Sequence, residues 1–455
     1  MAVTINGTTG IEGPNTSGDT LVNGVTVGTG AGDIATNTAV GASALAANTT
    51  GANNVAVGYQ ALDVNTTGYW NTTIGSDSLG ANTTGIGNTA NGYQALAANT
   101  TANANSAFGF QALNANSTGG SNVALGAYAL ISNTTASNNT AIGYQALYAN
   151  TTGANNVAVG SGALDANTTG SNNNALGSNS LGLNTTGTAN NAFGYNALSD
   201  TTTGSYNSAF GGSALSSNTT GANNTAVGYF ALVGNTTGIN NTAVGYQALD
   251  ACTTGQSNVA VGANALGANT TGGGNIAVGS GALVAATTAS NNTAVGGSAM
   301  ENTTTGANNC AFGRDAATDA VFNITTESNR IVMGNNNHTN AYIKIAWTVT
   351  SDARDKTSIE SVPHGLSFVK QLNPVSYRWK TSREDDTPHG NKRYGFLAQD
   401  ILQLEGDNPV IIDNETPEHL KYQGESLVPV LVNAIKELSA KCDALQAEVN
   451  QLKGQ

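Results

Sequence analysis

The chain has 455 residues, of which only 9% are charged and 57 are glycine, and its formal net charge is −13. That acidity argues against a nucleic-acid partner, which needs a basic face to offset phosphate, and no stretch approaches the length of a membrane span. Low charge with abundant Gly, Asn and Thr would fit disorder, but apolar residues recur at fixed intervals and argue for a folded repeat.

Residues 1–35 precede the repeats. Their start, MAVTINGTTGIEG, has neither a basic beginning nor an apolar core, so no signal peptide is expected. Cys252, Cys310 and Cys442 are too far apart for a metal site or a disulfide framework. Folding in a reducing cytosol is the expectation, with no metal and no cofactor. Charge is unevenly spread: Arg314 is the one basic residue before Arg330, and all four histidines lie beyond it.

Residues 36–317 carry a glycine every seventeen residues, from Gly41, Gly58 and Gly75 to Gly296 and Gly313, without slippage. A leucine follows four residues after each (Leu45, Leu62, Leu79), with Met300 in one copy. Such strict periodicity marks stacked repeats. Each unit has an apolar stretch, such as Ala141, Ile142, Tyr144, Ala146 and Leu147, followed by turn-forming Asn, Thr and Gly. Seventeen residues are too few for two packed helices, and suit two short strands and two turns. The expectation is a parallel β-roll or β-solenoid, about 80 Å long if each unit rises by one strand spacing. Its core of Ala, Val and Leu is thin, so three chains side by side would bury more. Asn91 interrupts what reads as a core position.

Several sharper readings of the repeat are weaker. Thr49-Thr50 and Thr66-Thr67 resemble an ice-binding ladder, but neighbouring strand residues face opposite ways and a glycine follows, so a turn is expected. Asn-Thr-Thr also matches a glycosylation acceptor, read here as turn chemistry. The acids Asp63, Asp77, Asp165 and Asp250 read as isolated, solvated turn residues, not as the paired carboxylates of a glycosidase. Tyr59, Tyr144, Tyr195, Tyr229 and Tyr246 share one repeat position, where they would stack on sugars if they face outward or on one another if they pack. The Ala56-Val57-Gly58 and Ala141-Ile142-Gly143 triplets resemble the head repeats of trimeric autotransporter adhesins, although the unit length differs.

Residues 318–350 read as a β-rich end of the shaft, with strands at 330–333 and 341–345 intertwined in a trimer. The next segment, Ser351-Asp352-Ala353-Arg354-Asp355-Lys356, begins a run of ordered blocks. These are Gly365-Leu366, then 372–380 (LNPVSYRWK), 394–400 (YGFLAQD), Leu420-Lys421-Tyr422, and 427–438. Together they resemble the intramolecular chaperone of endosialidase-type tailspikes, an auto-processing peptidase family. Asp400 departs from that family's usual Glu but keeps the carboxylate. The resemblance implies a cut between Thr350 and Ser351, with Ser351 and Lys356 as the catalytic dyad and Asp352 and Arg354 holding the loop. A serine hydroxyl needs a nearby base, and a lysine serves once it is neutral. The alternative is a helix-capping Ser351-Asp352 beside a solvated Lys356.

Val428, Ile435, Cys442 and Val449 are spaced by seven, as are Leu431, Leu438, Leu445 and Leu452, which predicts a coiled-coil helix over about 427–453. The number of strands in that coil, three, comes only from the resemblance. The whole then reads as a mainly β homotrimer: a β-solenoid shaft followed by a small α+β chaperone domain (351–455) ending in a coiled coil. The resemblance implies a phage tail fibre, folded in the host cytoplasm and carried on the virion. Residues 1–35 would hold a tail or baseplate protein, with a host surface glycan as a further partner. Self-cleavage by one serine–lysine turnover would be its one catalytic act. A bacterial surface adhesin with the same chaperone, and a glycan depolymerase, are the alternatives.

Overall fold

The computed structural model describes residues 11–12, 19–22, 25–319, 323–335, 337–338, 351–380, 385–415 and 417–454. The chain divides into two compact units, 1–335 and 336–455. The strand expected at 341–345, and Thr350, lie outside the described residues.

The first unit is a β-solenoid. From Thr38–Val40 to Cys310–Phe312, three-residue strands recur at seventeen-residue intervals, each parallel to the next. Register is strict, with Ala141 opposite Ala158 and Ala158 opposite Ala175. Ile331–Met333 adds a last parallel strand. The first turn is closed by a hairpin, Thr20–Val22 with Val25–Gly28, whose second strand pairs antiparallel to Thr38–Val40. This covers an otherwise open sheet edge. Asp19 fastens the hairpin, accepting from the N–H groups of Thr29 and Gly30 at 3.0 and 3.1 Å.

Two strands per repeat were expected, and each turn holds one. The chain curls too tightly for a second, because Gln145 and Leu147 sit in the left-handed region at φ +56° and +52° and their counterparts repeat this. Such a conformation costs a branched residue about 1–2 kcal/mol. It is held by contacts with the next turn, where the Leu147 N–H donates to the Ala163 carbonyl at 3.0 Å. Gly143 has φ +138°, and a Cβ there would lie 2.5 Å from the Gly160 carbonyl oxygen, so the glycine column allows adjacent turns to meet.

The core is thinner than the apolar pattern implies. Ala141, Ala146 and Leu147 are buried, whereas Ile142 is half-buried and Tyr144 is 52% exposed. The strand places only its middle residue inside. Asn91 therefore occupies an outward position and is not a core defect. The tyrosine position also faces out, and where aromatic rings fall in successive turns they stack on each other. Tyr93 lies on Phe110 at 5.4 Å and 21°, and Tyr229 on Tyr246 at 6.3 Å and 10°. The Thr-Thr pairs lie in turns, as expected, and the first hydroxyl of the pair is used, as when Thr151 Oγ1 donates to the Thr168 carbonyl at 3.1 Å.

What the repeat pattern concealed is a polar core. Two asparagines per turn, expected in surface turns, are fully buried in columns. In one column, running from Asn37 to Asn309, Asn156 Nδ2 donates to the Gly170 carbonyl at 2.9 Å and its Oδ1 accepts from the Asn173 N–H at 2.9 Å. In the second, Asn150 Nδ2 donates to Asn133 Oδ1 at 2.8 Å and to the Gly153 carbonyl at 3.0 Å. The second column is broken where Thr201, Cys252 and Ala286 replace Asn, and it ends on Thr303. The Oδ1 atoms of Asn184, Asn235 and Asn269, one turn earlier at each break, have no hydrogen-bond donor. The partner expected one turn on is missing.

The second unit is small. Leu366–Val369 forms a short helix, Val375–Lys380 and Pro388–Gly395 an antiparallel hairpin, and Ala398–Glu405 a second helix. Ile412–Asp413 pairs with Lys421–Tyr422, and Gly424–Lys453 is a long terminal helix. Phe368, Ile401, Ile411, Ile412, Leu427 and Val430 make the core. The long helix gives Leu427, Val430 and Ala434 to its own unit, while the heptad positions stay exposed, including Ile435 at 66% and Leu445 at 60%.

Two outcomes follow from the asparagine columns. Asn156→Ala orphans the Asn173 N–H, while the Gly170 carbonyl keeps its second donor, Asn167 Nδ2 at 3.0 Å; stability in chemical denaturation should fall by about 1–3 kcal/mol. Cys252→Asn restores a donor to Asn235 Oδ1 and should raise stability by about 1 kcal/mol in the same assay. The buried Cys252 thiol, pushed up to about 11 by desolvation, stays protonated at pH 8, so maleimide should label it only after unfolding.

Candidate functional site

The site begins with a short 3-10 turn, Ala353–Asp355. Asp352 caps it in extended conformation (φ −66°, ψ 133°), its Oδ1 accepting from the Arg354 N–H at 2.9 Å. The Arg354 side chain folds back on the same carboxylate, with Nη2 donating to Oδ2 at 2.6 Å and Nε to Oδ1 at 3.1 Å. This fork holds the Asp352 carboxyl below the usual aspartate range, with the guanidinium as the larger cause and the backbone N–H second. The turn reverses the chain, so that residues five apart meet: Lys356 Nζ donates to Ser351 Oγ at 2.6 Å.

The structure thus brings Ser351 and Lys356 together and leaves Asp352 and Arg354 paired with each other, one step away from that contact. All four side chains are exposed. As a chemical unit, the pair is a hydroxyl with an amine in hydrogen-bond reach, the minimum that base-assisted attack by a serine requires. Ser351 also lies directly after the peptide bond that joins it to Thr350.

Three residues that tie the unit together carried no sequence signal. Glu405, at the end of the second helix, accepts from the N–H groups of Val410, Ile411 and Ile412 at 2.8, 2.7 and 2.9 Å. On the long helix, Glu437 accepts from the Leu366 N–H at 2.9 Å, and Asn433 donates to the carbonyls of Val362 and His364 at 3.1 and 3.3 Å. A helical Glu or Asn looks like solvated surface until its backbone partners are known, and those of Glu437 and Asn433 lie some seventy residues away.

The shaft acids were read as isolated and solvated, and this needs correction. Asp63, Asp165 and Asp250 are partly buried, and desolvation raises all three carboxyls. Asp77 lies close enough to Asp63 for its charge to push in the same direction. Among the described residues no group of three or more His, Cys, Asp or Glu could hold a metal ion, and no helix is long and apolar enough to cross a membrane.

Residues 351–408 match the family model for the chaperone of endosialidase. No curated protein matches the chain. The molecule therefore combines a β-solenoid of seventeen-residue repeats with an endosialidase-type chaperone domain in its C-terminal unit. The match opens on Ser351 and covers the capped turn, the hairpin and the helix ending at Glu405.

Removing the Glu405 carboxylate frees three backbone donors at once. Glu405→Ala should cost the chaperone unit about 2 kcal/mol, read as an earlier unfolding transition of that unit in urea, with the solenoid transition unmoved.

Proposed function

We propose that the chain is a trimeric tail-fibre shaft whose C-terminal chaperone drives assembly and is then released by cleavage between Thr350 and Ser351. The observation that carries the cleavage reading is the 2.6 Å contact between Lys356 Nζ and Ser351 Oγ, placed at the first residue of the chaperone match. The family resemblance supplies the roles, Ser351 as nucleophile and Lys356 as base, and the geometry is compatible with both.

The chemistry closes without a cofactor. Neutral Lys356 accepts the hydroxyl proton as Ser351 Oγ attacks the Thr350 carbonyl carbon. The tetrahedral intermediate expels the Ser351 nitrogen, which takes up a proton, and the Thr350 acyl group is left as an ester on Oγ. Water then hydrolyses the ester, giving a Thr350 carboxylate and a new Ser351 amino terminus with its hydroxyl restored. Asp352 and Arg354 act by fixing the turn. Cleavage after assembly would make the fold hard to reverse, so the shaft's persistence becomes kinetic.

Trimer formation is supported by what each unit leaves uncovered. The long helix presents Val428, Ile435, Val449, Leu431, Leu438 and Leu445 to solvent at heptad spacing, the pattern of a coiled-coil seam. A virion location, the N-terminal partner and a glycan receptor belong to the same proposal. Where rings of the tyrosine column fall in successive turns, as at Tyr93–Phe110 and Tyr229–Tyr246, they stack on each other, which favours a spacer over a sugar platform at those turns.

The full chain, expressed and examined by intact mass, should yield two fragments, the smaller beginning Ser351-Asp352-Ala353. Ser351→Ala and Lys356→Ala should each leave a single uncut chain, with cleavage reduced at least about a hundredfold, the low end of a general base's contribution. An uncut wild type, or a Ser351→Ala variant that cleaves normally, would sink the proposal.

A further inference from the structure

The solenoid leaves a second apolar surface in water. The residue after each buried middle residue of a strand points outward, and along the shaft it is Val57, Leu125, Val227, Val295 or Phe312, with no charged residue at this position in any turn. Many of these side chains are open, from 37% exposed at Phe108 to 48% at Leu125, and the others, such as Val57 and Ile142, are half-buried. Phe193 and Phe210 stack on one another in successive turns at 4.9 Å and 8°. One turn differs. Asn91 stands between Ile74 and Phe108 in this column, faces outward, and makes no side-chain hydrogen bond among the described residues.

We propose that this column is the contact surface between copies of the chain and that Asn91 sets their register; the proposal rests on the trimeric reading above. The occupant is a second copy for two reasons. The column repeats at one strand spacing, about 4.8 Å, and another copy has that same spacing over the same length. The face is uncharged, so identical faces meet without repulsion. The seam on the long helix asks for the same partner.

Register is the difficulty such a surface creates. A slip of seventeen residues puts Val, Ile, Leu or Phe against the same kinds of residue almost everywhere, so apolar contact barely distinguishes the slipped pairing from the true one. Asn91 does. In register, the Asn91 amides of neighbouring copies meet, and each offers two donors and an acceptor to the others. Slipped by one turn, each amide is buried against Ile74 or Phe108 with no partner, which is the costly arrangement for a polar group. A single asparagine in an apolar seam fixes the register of coiled coils in this way. The position is specific because the polar group is alone in its column.

The test co-expresses full-length wild type with Asn91→Val/Leu125→Asn, which moves the amide by two turns, under two different tags. Native mass spectrometry counts mixed and unmixed trimers, and sedimentation gives the mass of each chain expressed alone. The expected result is that each chain forms trimers alone while mixed trimers fall about tenfold below random proportions. Trimers that mix at random overturn the role of Asn91 and leave the trimeric reading standing. A monomeric wild type overturns both. If the double variant does not assemble alone, wild type with Asn91→Val decides the matter, since valine already fills this column in many turns. Random mixing there overturns the proposal, and depletion of mixed trimers upholds it.

Discussion

The solenoid depends on satisfying backbone groups that its own curvature buries. With one three-residue strand per turn, most of the seventeen residues cannot rely on sheet pairing alone, and the carbonyls of residues such as Gly153 and Gly170 point into the interior. Two asparagines per turn answer this. Asn150 and Asn156 present donors to those carbonyls, and Asn156 also presents an acceptor to the next turn's N–H. A buried polar group is tolerable only when paired, and here pairing is achieved by repetition, because each asparagine column finds a partner in the asparagine one turn away. The exceptions make the point. Where Thr201, Cys252 or Ala286 interrupts one column, the preceding Asn Oδ1 is left orphaned. The other column has no interruption from Asn37 to Asn309.

That polar interior explains the distribution of apolar residues. Asparagine columns and tightly curled turns leave room inside for only alanine and one leucine per turn, and the glycine column brings neighbouring turns into backbone contact. Larger apolar side chains are then placed outside. An interior so rich in hydrogen bonds and so poor in buried hydrocarbon gains specificity from the first and little hydrophobic stabilisation from the second. The outward Val, Ile, Leu and Phe are where the missing burial would be found, and association is the means by which a thin solenoid would obtain it.

Some of this was legible in the sequence. The invariant glycine spacing and the leucine four residues later announced a stacked repeat, and the Ser351–Lys356 segment and heptad spacing marked the two ends of the chaperone unit. Other features were hidden for physical reasons. In a triplet such as Val55-Ala56-Val57 both faces read as apolar, so hydropathy does not say which is inside, and for the same reason it leaves the direction of Tyr144 open. Asparagine is at once a turn former and a good ladder residue, and only the in-register stacking of Asn139, Asn156 and Asn173 separates the two roles. Glu405 and Glu437 bind backbone N–H groups whose proximity is a product of the tertiary fold.

The two units face opposite informational problems, and this accounts for their being joined. A repeat of identical turns folds by adding one turn to the next and specifies its local contacts well, but it offers many nearly equivalent ways to align copies. The C-terminal unit is the reverse. Its small core of Phe368, Ile401, Ile411, Ile412, Leu427 and Val430 is aperiodic and ties one end of the long helix, so the heptads of that helix are anchored at a fixed start. On the trimeric reading, the unit with one alignment would set the starting register for the unit with many, and each subsequent turn would inherit it. The proposed cut before Ser351 would remove the guide without disturbing the ladder, because every stabilising bond of the shaft described above lies within or between its own turns. On the proposed cleavage, a self-cleaving chaperone is useful only to a shaft that can hold its register once the chaperone has gone.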